Sequence, residues 1–413
     1  MVPDGWEKHP VGKICRSIVP GRNKPKEFSG SIPWVTTPEI KGRYIPSKVQ
    51  QNYVSTEALR ECGGKIVPSG AVVMAAVGEL GLVAIASEEV VLNQQLHAFI
   101  CSGSVHNEYL AYWLSNQKPY METIASKTTI PYLNKTNCES IPVALPPLSE
   151  QRKIATILGT WDKAISTTEH LIDNSKQQKK ALMQQLLTGT HTQRKRLLDD
   201  SGKPFEGEWK EVKLGDACSK VTDGAHHSPQ SVEVGYPMFS VKDMRPTGFA
   251  ENTARHISKG DFKALEKQNC KPEINDILIA KDGSILKYCF VVKEEIQGVI
   301  LSSIALLRPK LNIISPQFIA QYFSQDSVKF FVGKALTSGS GVPRIILKDF
   351  KGIHIRIPSL CEQQKIAAVL TNADQEIELL EKQLADLKQE KKALMQQLLT
   401  GKRRVKVDDK EVA

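Results

Sequence analysis

Towards the end of the chain, apolar residues recur at alternating intervals of three and four positions. They are Leu370, Ala373, Ile377, Leu380, Leu384, Leu387, Leu394 and Leu398. This is the heptad pattern of a helix that packs against another helix along a narrow seam. An earlier segment carries a weaker form of the pattern, at Leu158, Trp161, Ile165, Ile172, Leu182 and Leu186. The sequence therefore predicts two long amphipathic helices.

The two predicted seams also contain polar positions. Thr168 and Ser175 weaken the middle of the first seam, and Lys179 and Lys391 occupy the same position in the two copies. A lysine in a seam reduces stability but can fix the register of paired helices. Pairing of the two helices is favoured, while the imperfect first seam leaves open that each helix lies on a separate core.

The first helix is predicted to run from Ser149 to Thr188, a length of about 60 Å at 1.5 Å per residue. Ser149 is placed to cap its start and Gly189 to end it. The stretch from Thr190 to Phe205 has the polar and basic composition of an exposed linker, and the residues from Lys402 onward resemble a loose tail.

The segments before the helices are predicted to be rich in β-structure. Short apolar runs bounded by glycine, proline or charged residues are typical of buried strands. Such runs occur at 71–77, 82–86 and 277–280. Aromatic and aliphatic residues at helical spacing predict helices from Asn107 to Asn116 and from Pro316 to Lys329.

The strongest pattern in the chain is an internal repeat. Residues 179–189 recur without a change at 391–401, an offset of 212 positions. At the same offset, residues 145–189 and 357–401 share 24 of 45 residues. The beginnings of the two halves also match, since Trp6 corresponds to Trp209. This period is far longer than that of a solenoid repeat and indicates a duplicated domain with its helix.

Between these frames the similarity of the halves fades to pattern. The segment Ile32-Pro33-Trp34-Val35 resembles Tyr236-Pro237-Met238-Phe239, and Ile130-Pro131-Tyr132-Leu133 resembles Val342-Pro343-Arg344-Ile345. The fold class is therefore α+β, a tandem duplication of a β-rich domain followed by a long helix. The predicted boundaries are a first domain at 1–147, a first helix at 148–189, a linker at 190–208, a second domain at 209–359, a second helix at 360–401 and a basic, flexible tail at 402–413.

Composition is that of a globular chain, with 41% hydrophobic and 24% charged residues. A length of 413 residues suggests more than one domain. The net charge of +10 favours a polyanion such as nucleic acid, although an ordinary basic protein has the same balance. No apolar stretch is long enough to span a membrane, no signal peptide is recognisable, and the eight cysteines are spread without zinc spacing. We expect a cytoplasmic protein with reduced, mostly buried thiols.

Motifs of catalysis are missing from the sequence. It contains no phosphate-binding loop, no dinucleotide-binding glycine pattern, no His-Glu-x-x-His and no amino-methyltransferase motif. The adjacent His226 and His227 resemble a turn with polar contacts more than a zinc site, because neighbouring histidines rarely ligate one ion. We therefore expect neither an enzyme nor a metal or cofactor site on this chain.

The frame of the repeat resembles a known family. The resemblance is carried by Leu145-Pro146-Pro147-Leu148-Ser149-Glu150-Gln151 with Ile157-Leu158, by Ile357-Pro358-Ser359-Leu360-Cys361-Glu362-Gln363, and by the Ala-Leu-Met-Gln-Gln-Leu-Leu-Thr-Gly used twice. These motifs resemble type I restriction-modification specificity subunits, and the match spans the whole chain.

The resemblance implies two target-recognition domains that each read one half of a split site in double-stranded DNA. It implies that the two helices pair as an antiparallel coiled coil, which spaces the readers and docks methyltransferase subunits, expected to be two. Partner subunits would then carry S-adenosylmethionine, ATP and Mg²⁺, with a separate motor-nuclease subunit for cleavage. Because a rigid coiled coil would fix the distance between the readers, helix length should set the unspecified spacer in the DNA target. This reading makes the chain a part of host defence.

The residues expected to contact DNA are polar and basic residues in the loops of the diverged middles. Arginine and lysine can pair with guanine or phosphate, and hydroxyl groups and histidine can reach either. The candidates are Thr36, Thr37, Lys41, Arg43, Lys127, Thr128 and Thr129 in the first half and His226, His227, Lys242, Arg245, Lys281, Ser338, Ser340 and Arg344 in the second. Lys281 and Arg344 are the preferred ones, because the first follows a strand and the second follows a Gly/Ser run.

Three other functions remain open at this point. The first is a coiled-coil scaffold with two β-rich ligand-binding domains that does not bind DNA. The second is an enzyme, for example a nuclease, whose site assembles from loops without a sequence signature. The third is a specificity subunit that serves a fused methyltransferase-nuclease.

Overall fold

The computed structural model describes residues 2–21, 23–46, 50–187, 196–335, 337–338 and 343–407. The chain divides into two compact units, Met1–Glu169 with Lys382–Ala413, and His170–Glu381. We call them the first and the second unit. Two long helices run through this division, and each contributes one part to each unit.

The first half consists of short strands and short helices, followed by a long helix. Its strands are β1 (Glu7–Pro10), β2 (Cys15–Ile18), β3 (Ile32–Val35), β4 (Tyr44–Ile45), β5 (Tyr53–Val54), β6 (Ile66–Val67), β7 (Val72–Ala75), β8 (Val83–Ala86), β9 (Val90–Leu92), β10 (Leu96–Cys101) and β11 (Pro142–Leu145). Its helices are α1 (Val11–Ile14), α2 (Thr56–Glu61), α3 (Asn107–Ser115), α4 (Lys118–Ile124), α5 (Lys135–Glu139) and the long α6 (Leu148–Leu186), with a 3₁₀ turn at Thr37–Glu39.

The second half has a similar order of elements with additional short strands. Its strands are β12 (Lys210–Lys213), β13 (Cys218–Asp223), β14 (Tyr236–Phe239), β15 (Met244–Arg245), β16 (Gly248–Phe249), β17 (Arg255–Ile257), β18 (Ile277–Ala280), β19 (Cys289–Val291), β20 (Val299–Ile300), β21 (Ile304–Pro309), β22 (Thr337–Ser338), β23 (Arg344–Ile345) and β24 (His354–Ile357). Its helices are α7 (Leu214–Ala217), α8 (Lys259–Lys267), α9 (Pro316–Ser324), α10 (Asp326–Ala335), α11 (Leu347–Gly352) and the long α12 (Leu360–Leu398), with 3₁₀ turns at Val241–Asp243 and Glu251–Thr253.

Each unit contains two main sheets, which share an apolar cluster. In the first unit the sheets have the strand orders β2-β10-β7-β8-β4 and β5-β3-β9-β6, and in the second unit the main sheets are β13-β21-β18-β19 and β17-β14-β20. Most neighbouring strands are antiparallel, but β3 runs parallel to β9, β4 parallel to β8 and β14 parallel to β20. The α+β class and the duplication predicted from the sequence are confirmed.

The continuous apolar runs in the sequence are strands that are buried on both faces. In β7, Val72 and Met74 pack in the same apolar cluster as Tyr109 of α3, whereas Val73 and Ala75 pack in a second cluster, on the other face of the strand. Because side chains alternate along a strand, a strand with a core on each side needs apolar residues at every position. In β18 the alternate residues are divided between two clusters in the same way.

Two helix boundaries differ from those predicted. The helix predicted from Pro316 to Lys329 is two helices, because Gln325 between α9 and α10 has an extended backbone, with φ −64° and ψ 134°. The first long helix begins at Leu148, so Ser149 lies inside its first turn and does not cap it. In the second copy it is Ser359, just before the helix, whose hydroxyl accepts from the backbone N–H of Glu362. The predicted end at Gly189 lies outside the described residues.

The long helices pair antiparallel through charged residues in the first unit. Asp162 and Glu169 of α6 form ion pairs with Lys391 and Lys388 of α12, the second of these at 2.7 Å. Positions increase along one helix as they decrease along the other, which is the order of an antiparallel pair. The side chain of the seam lysine Lys391 is only 18% exposed.

The second unit contains the same ion pairs with the two helices exchanged. Lys179 of α6 bonds Asp374 of α12 at 2.5 Å, and Lys176 bonds Glu381 at 2.7 Å. All four positions are unchanged between the repeats at the offset of 212. Exposed pairs of this kind contribute little stability, but a buried lysine that needs one particular carboxylate fixes the register. The predicted antiparallel pairing of the helices is confirmed.

The Glu-Gln pair at the start of each long helix fastens the helix to its surroundings. In the first unit the buried Glu150 accepts two hydrogen bonds from the guanidinium of Arg404, at 2.7 and 2.8 Å, and one from the indole N–H of Trp6 at 3.2 Å. In the second unit the buried Glu362 accepts two from Arg196. Each arginine lies just beyond the end of the other long helix, so each helix start is held by the segment that follows its partner.

A buried histidine makes the first unit sensitive to acid. His97 in β10 is 3% exposed, bonds the hydroxyl of Ser17 at 2.7 Å, and burial lowers its pKa to about 4. The unfolded chain takes up a proton near the ordinary pKa of 6.5, whereas the folded unit resists protonation to about pH 4. The contribution of His97 to the free energy of unfolding is therefore fully present above about pH 6.5. It falls by up to about 3 kcal/mol as the pH drops to about 4.

This acid sensitivity can be measured by hydrogen exchange in β7 and β10 between pH 4 and 7, after correction for intrinsic exchange rates. Ala305 occupies the equivalent position in β21 of the second unit, since Leu96 and Ile304 begin matching strands. The control variant His97→Ala places in β10 the residue that the second unit has at this position. We expect this variant to lose the dependence of stability on pH in this range. An unchanged pH dependence in this variant would assign it to other groups.

Candidate nucleic-acid interface

In the first unit a chain of hydrogen bonds joins four segments that are separate in sequence. The hydroxyl of Thr37 donates to the side-chain oxygen of Gln95 at 3.3 Å, and the backbone N–H of Ala76 donates to the backbone oxygen of Gln95 at 2.8 Å. The N–H of Leu133 then donates to the oxygen of Ala76 at 2.8 Å. These bonds bring the turn after β3, the loop after β7 and the segment before α5 together.

The second unit has the same connections. The N–H of Val241 donates to the hydroxyl of Ser303 at 3.4 Å, and the N–H of Lys281 donates to the backbone oxygen of Ser303 at 3.1 Å. The N–H of Ile345 donates to the oxygen of Lys281 at 3.1 Å. We name these assemblies by their residues: the first loop cluster is 36–39, 76–78, 95 and 126–133, and the second is 223–226, 240–243, 281–283, 303 and 343–345.

Matching turns follow β3 and β14 in the two clusters. The carboxylate of Glu39 accepts from the N–H and the hydroxyl of Thr36, at 2.8 and 2.7 Å. Asp243 accepts in the same way from Ser240, at 2.8 Å for both bonds. A capping box of this kind satisfies the N–H groups of a turn and makes it rigid. Both clusters therefore rest on a preorganised turn.

The second loop cluster is built around a buried lysine. Lys281 is 4% exposed, and its ammonium lies 3.3 Å from a carboxylate oxygen of Asp223 and 3.4 Å from one of Asp282. His226, with its side chain 77% exposed, bonds Asp223 at 3.1 Å, and Arg344 approaches Asp282 at 3.3 Å. Lys281, His226 and Arg344 are thus brought together around two carboxylates, and the side chains of His226 and Arg344 are exposed.

The predicted site residues of the first unit are only partly brought together. Thr36, Thr37 and Thr128 belong to the first loop cluster, with Thr37 buried and Thr128 donating to the backbone oxygen of Ile130 at 2.8 Å. Lys127 and Thr129 lie exposed in the same cluster. Lys41 is exposed two residues after the turn of the cluster.

Arg43 has its contacts elsewhere. Its Nε donates to the carboxylate of Glu108 at 2.7 Å, and its guanidinium lies over the ring of Tyr112 at 3.2 Å from the centroid. The hydroxyl of Tyr112 in turn donates to Asp162 on the first long helix. These contacts fasten α3 and the strand β4 to each other and connect them to the helix, so the guanidinium of Arg43 is engaged in packing.

Three of the remaining predicted residues of the second unit, Lys242, Arg245 and His227, are exposed. Lys242 and Arg245 are exposed on the 3₁₀ turn and the short hairpin that follows it, and Arg245 donates to the backbone oxygen of Lys242 at 2.9 Å. His227 is exposed beside His226. Ser338 belongs to β22, and Ser340 lies outside the described residues.

Several residues of the two clusters were not anticipated from the sequence. Asp223 and Asp282 hold Lys281, and the exposed Ile130 and Tyr132 lie in the first cluster. The similarity of residues 130–133 to 342–345 was a signal for Tyr132, because it aligns this residue with Arg344. No such signal pointed to Asp223, whose contact depends on a loop 58 positions further on.

Other kinds of site are not found in the parts of the chain that the structure describes. No three side chains of histidine, cysteine, aspartate or glutamate are grouped so that they could hold a metal ion. Among the helices within those residues, none has the length and apolar character needed to cross a membrane.

Comparison with known proteins identifies the family of this architecture. The family described as type I restriction modification DNA specificity domain matches residues 3–175 and again residues 206–389. The MjaIX specificity subunit of a type I restriction enzyme from Methanocaldococcus jannaschii is 23% identical, with 98% of this chain and 95% of the relative covered. The MjaVIII specificity subunit of the same organism is 25% identical over 98% of this chain and 94% of its own length.

Two solved structures have a similar fold. The crystal structure of the S subunit of a type I restriction-modification system from M. genitalium aligns with a TM-score of 0.60 at 16% identity, over 96% of both chains. A chain from a study of complex assembly and conformational transition of the type I system aligns with a TM-score of 0.57 at 18% identity, over 97% of this chain and 98% of the other. With two matching segments that together cover most of its length, this chain belongs to the type I restriction-modification DNA specificity family.

Proposed function

We propose that this chain is the DNA-recognition subunit of a type I restriction-modification complex, in which each loop cluster reads one half of a bipartite target. The observation that carries the proposal is the repeated hydrogen-bond frame that presents different side chains in the two units. A scaffold that binds one ligand twice would keep these side chains alike. A reader of two unlike half-sites needs the same frame with unlike contacts.

The candidate contact residues keep their proposed role in this function, with a division of labour that follows from their exposure. Exposed cations such as Lys41, Lys127, Lys242 and Arg245 are suited to phosphate and base contacts. Thr37, Arg43 and Lys281 are engaged in internal bonds, so we propose that they act by holding the loops in place.

The catalytic steps belong to partner subunits in this proposal. Methyltransferase subunits, two in number, would bind S-adenosylmethionine, and a motor-nuclease subunit would use ATP and Mg²⁺. The long helices offer them exposed apolar residues, with Leu171 of α6 47% and Leu379 of α12 68% exposed. We propose that the complex acts in the cytoplasm, where it marks or restricts DNA as host defence.

The proposal is tested by sequencing adenine methylation in DNA from cells that express this chain with a cognate methyltransferase subunit. We expect a split motif that appears only when this chain is present. A matched variant, Arg344→Ala with Arg245→Ala, should change or weaken the half-site read by the second unit and leave the other intact. If the complex assembles but no new methylation appears, the chain is a scaffold; if the purified chain alone cleaves DNA with a metal ion, it is a nuclease.

A further inference from the structure

The segments around Tyr132 and Arg344 are held in the two loop clusters by the same backbone bonds. In the first cluster the N–H of Gly78 donates to the oxygen of Pro131 at 2.9 Å, and Val77 and Tyr132 face each other in a bridge. In the second cluster the N–H of Gly283 donates to the oxygen of Pro343 at 2.8 Å, and Asp282 and Arg344 form the bridge. Tyr132 and Arg344 therefore occupy the same structural position.

The side chains at this position differ in chemistry. The second unit has an arginine that is 62% exposed beside the carboxylate of Asp282. The first unit has Tyr132, 45% exposed, beside Val77, and Ile130 two residues earlier is 59% exposed. One unit thus offers an oriented cation where the other offers an apolar surface.

The apolar surface of the first unit is held outward by its own loop. The hydroxyl of Ser126 accepts from the N–H of Tyr132 at 3.2 Å, and the N–H of Ser126 donates to the oxygen of Tyr132 at 3.0 Å. Thr128 bonds the backbone oxygen of Ile130 at 2.8 Å. Exposure of two large apolar side chains on a hydrogen-bonded loop is unfavourable in the isolated unit. It indicates that this loop is a contact surface.

We propose, on the basis of the proposed function, that this shared position determines specificity in both half-sites. In the first half-site Tyr132 and Ile130 contact the methyl group of a thymine. In the second half-site Arg344 pairs with a guanine. The major groove distinguishes these bases in this way, since thymine presents a methyl group there and guanine presents two acceptors, O6 and N7.

The geometry at Arg344 fits recognition of guanine. Asp282 lies at 3.3 Å from Nε, and no described residue accepts a hydrogen bond from the two terminal nitrogens. A guanidinium held at Nε presents its terminal N–H groups as a fork, which matches O6 and N7 of guanine. Tyr132 and Ile130 have no comparable donors in their side chains apart from one hydroxyl, so the first unit has to discriminate by apolar contact.

The experiment uses the assembled complex with methyltransferase subunits and short duplexes that carry the motif found by methylation sequencing. Each thymine of the first half-site is replaced in turn by uracil, which lacks only the methyl group. We expect one position to weaken binding about fourfold, the equivalent of about 0.8 kcal/mol for one buried methyl group. In the complex with Tyr132→Ala and Ile130→Ser, the thymine and uracil duplexes should bind equally.

Two matched variants separate the apolar contact from other effects. Tyr132→Phe keeps the ring and should keep the preference for thymine, whereas loss of the preference would assign it to the hydroxyl. Tyr44→Phe changes another exposed tyrosine of the same unit, one that bonds Glu108, and should leave the preference unchanged. For the second half-site, 7-deazaguanine removes one acceptor and should weaken binding about tenfold in the unchanged complex and not in the Arg344→Ala complex.

The outcomes distinguish this proposal from the proposed function. If the unchanged complex recognises a split motif but no thymine in the first half-site is sensitive to uracil, the assignment of Tyr132 and Ile130 is wrong while the function stands. If uracil sensitivity persists in the Tyr132→Ala, Ile130→Ser complex, other residues read that methyl group. If no motif is recognised at all, the proposed function itself fails.

Discussion

Replacement of Gln363 by alanine is expected to destabilise the second unit by about 3 kcal/mol. Gln363 is 1% exposed; its side-chain oxygen accepts from the N–H of Ser315 at 2.9 Å, and its nitrogen donates to the backbone oxygens of Ile313 and Pro358 at 3.1 and 3.0 Å. These bonds fasten the start of α12 to the start of α9. Their loss leaves buried polar groups unpaired and opens a cavity, and each effect costs about 1–3 kcal/mol.

The isosteric change Gln363→Glu should be at least as harmful at neutral pH. A carboxylate there would face the carbonyl oxygens of Ile313 and Pro358, which need a donor, and only its protonated form could supply one. Stability of this variant should therefore recover in part as the pH falls. The measurement is hydrogen exchange in α9 and at the start of α12 as a function of pH.

Gln151 of the first unit serves as the matched position. It bonds the N–H of His106 at 2.8 Å and the oxygens of Ser104 and Pro146 at 2.9 and 2.8 Å. Gln151→Ala should raise exchange in α3 and leave α9 unchanged, while Gln363→Ala should do the reverse. A loss of less than about 1 kcal/mol in both variants would mean that the two glutamines are not the fastening points inferred here.

Replacement of Lys281 by methionine is expected to destabilise the second unit by about 3 kcal/mol or more. The change keeps the bulk of the side chain but leaves the carboxylates of Asp223 and Asp282 close together without their cation, and both are largely buried, at 8% and 13% exposure. Removal of one partner from a buried ion pair costs about 3–5 kcal/mol, because a charge is left uncompensated. Exchange should increase in β13 and β18, which carry the cluster.

The triple variant Lys281→Met, Asp223→Asn, Asp282→Asn separates structure from DNA contact. If Lys281 acts only by compensating the charge of the two carboxylates, the triple variant should recover most of the stability that Lys281→Met loses. The complex that contains the triple variant should then bind DNA of random sequence as the unchanged complex does. If stability returns but this non-specific affinity stays low, Lys281 contacts DNA directly, as the sequence suggested. The natural control is the first unit, which has Ala76 and Val77 at the equivalent positions.

The duplicated, helical frame could be predicted from the sequence because its constraints are local and repeated. The heptad spacing fixes the face of each helix, and the residues kept between the copies include both partners of the interhelical ion pairs, such as Asp162 and Lys391. The retained Glu-Gln pair marks the fastening point of each helix. The repeat marks these positions in the sequence, although it does not show which residue bonds which.

The candidate site was less predictable because its contacts join residues far apart in the chain. Arg43 looks like a free loop cation, yet Glu108 and Tyr112 engage it from 65 and 69 positions away. Lys281 follows a strand as expected, but Asp223 draws its ammonium under the surface. Periodicity also could not find the break at Gln325, since apolar spacing continues through it.

The clamp at the start of the first long helix brings residues from both ends of the sequence into contact. Besides Glu150, Arg404 bonds the backbone oxygen of Asp4, at 2.9 Å, so positions 400 residues apart are joined by one hydrogen bond. A peptide connection between these two segments would therefore follow a contact that the fold already makes. A circularly permuted gene that joins the segment after Arg404 to the segment before Asp4 would keep the bonds of Arg404 to Glu150 and to Asp4. Each unit also packs the end of the long helix of the other half, so both units of a permuted protein would still need the whole chain.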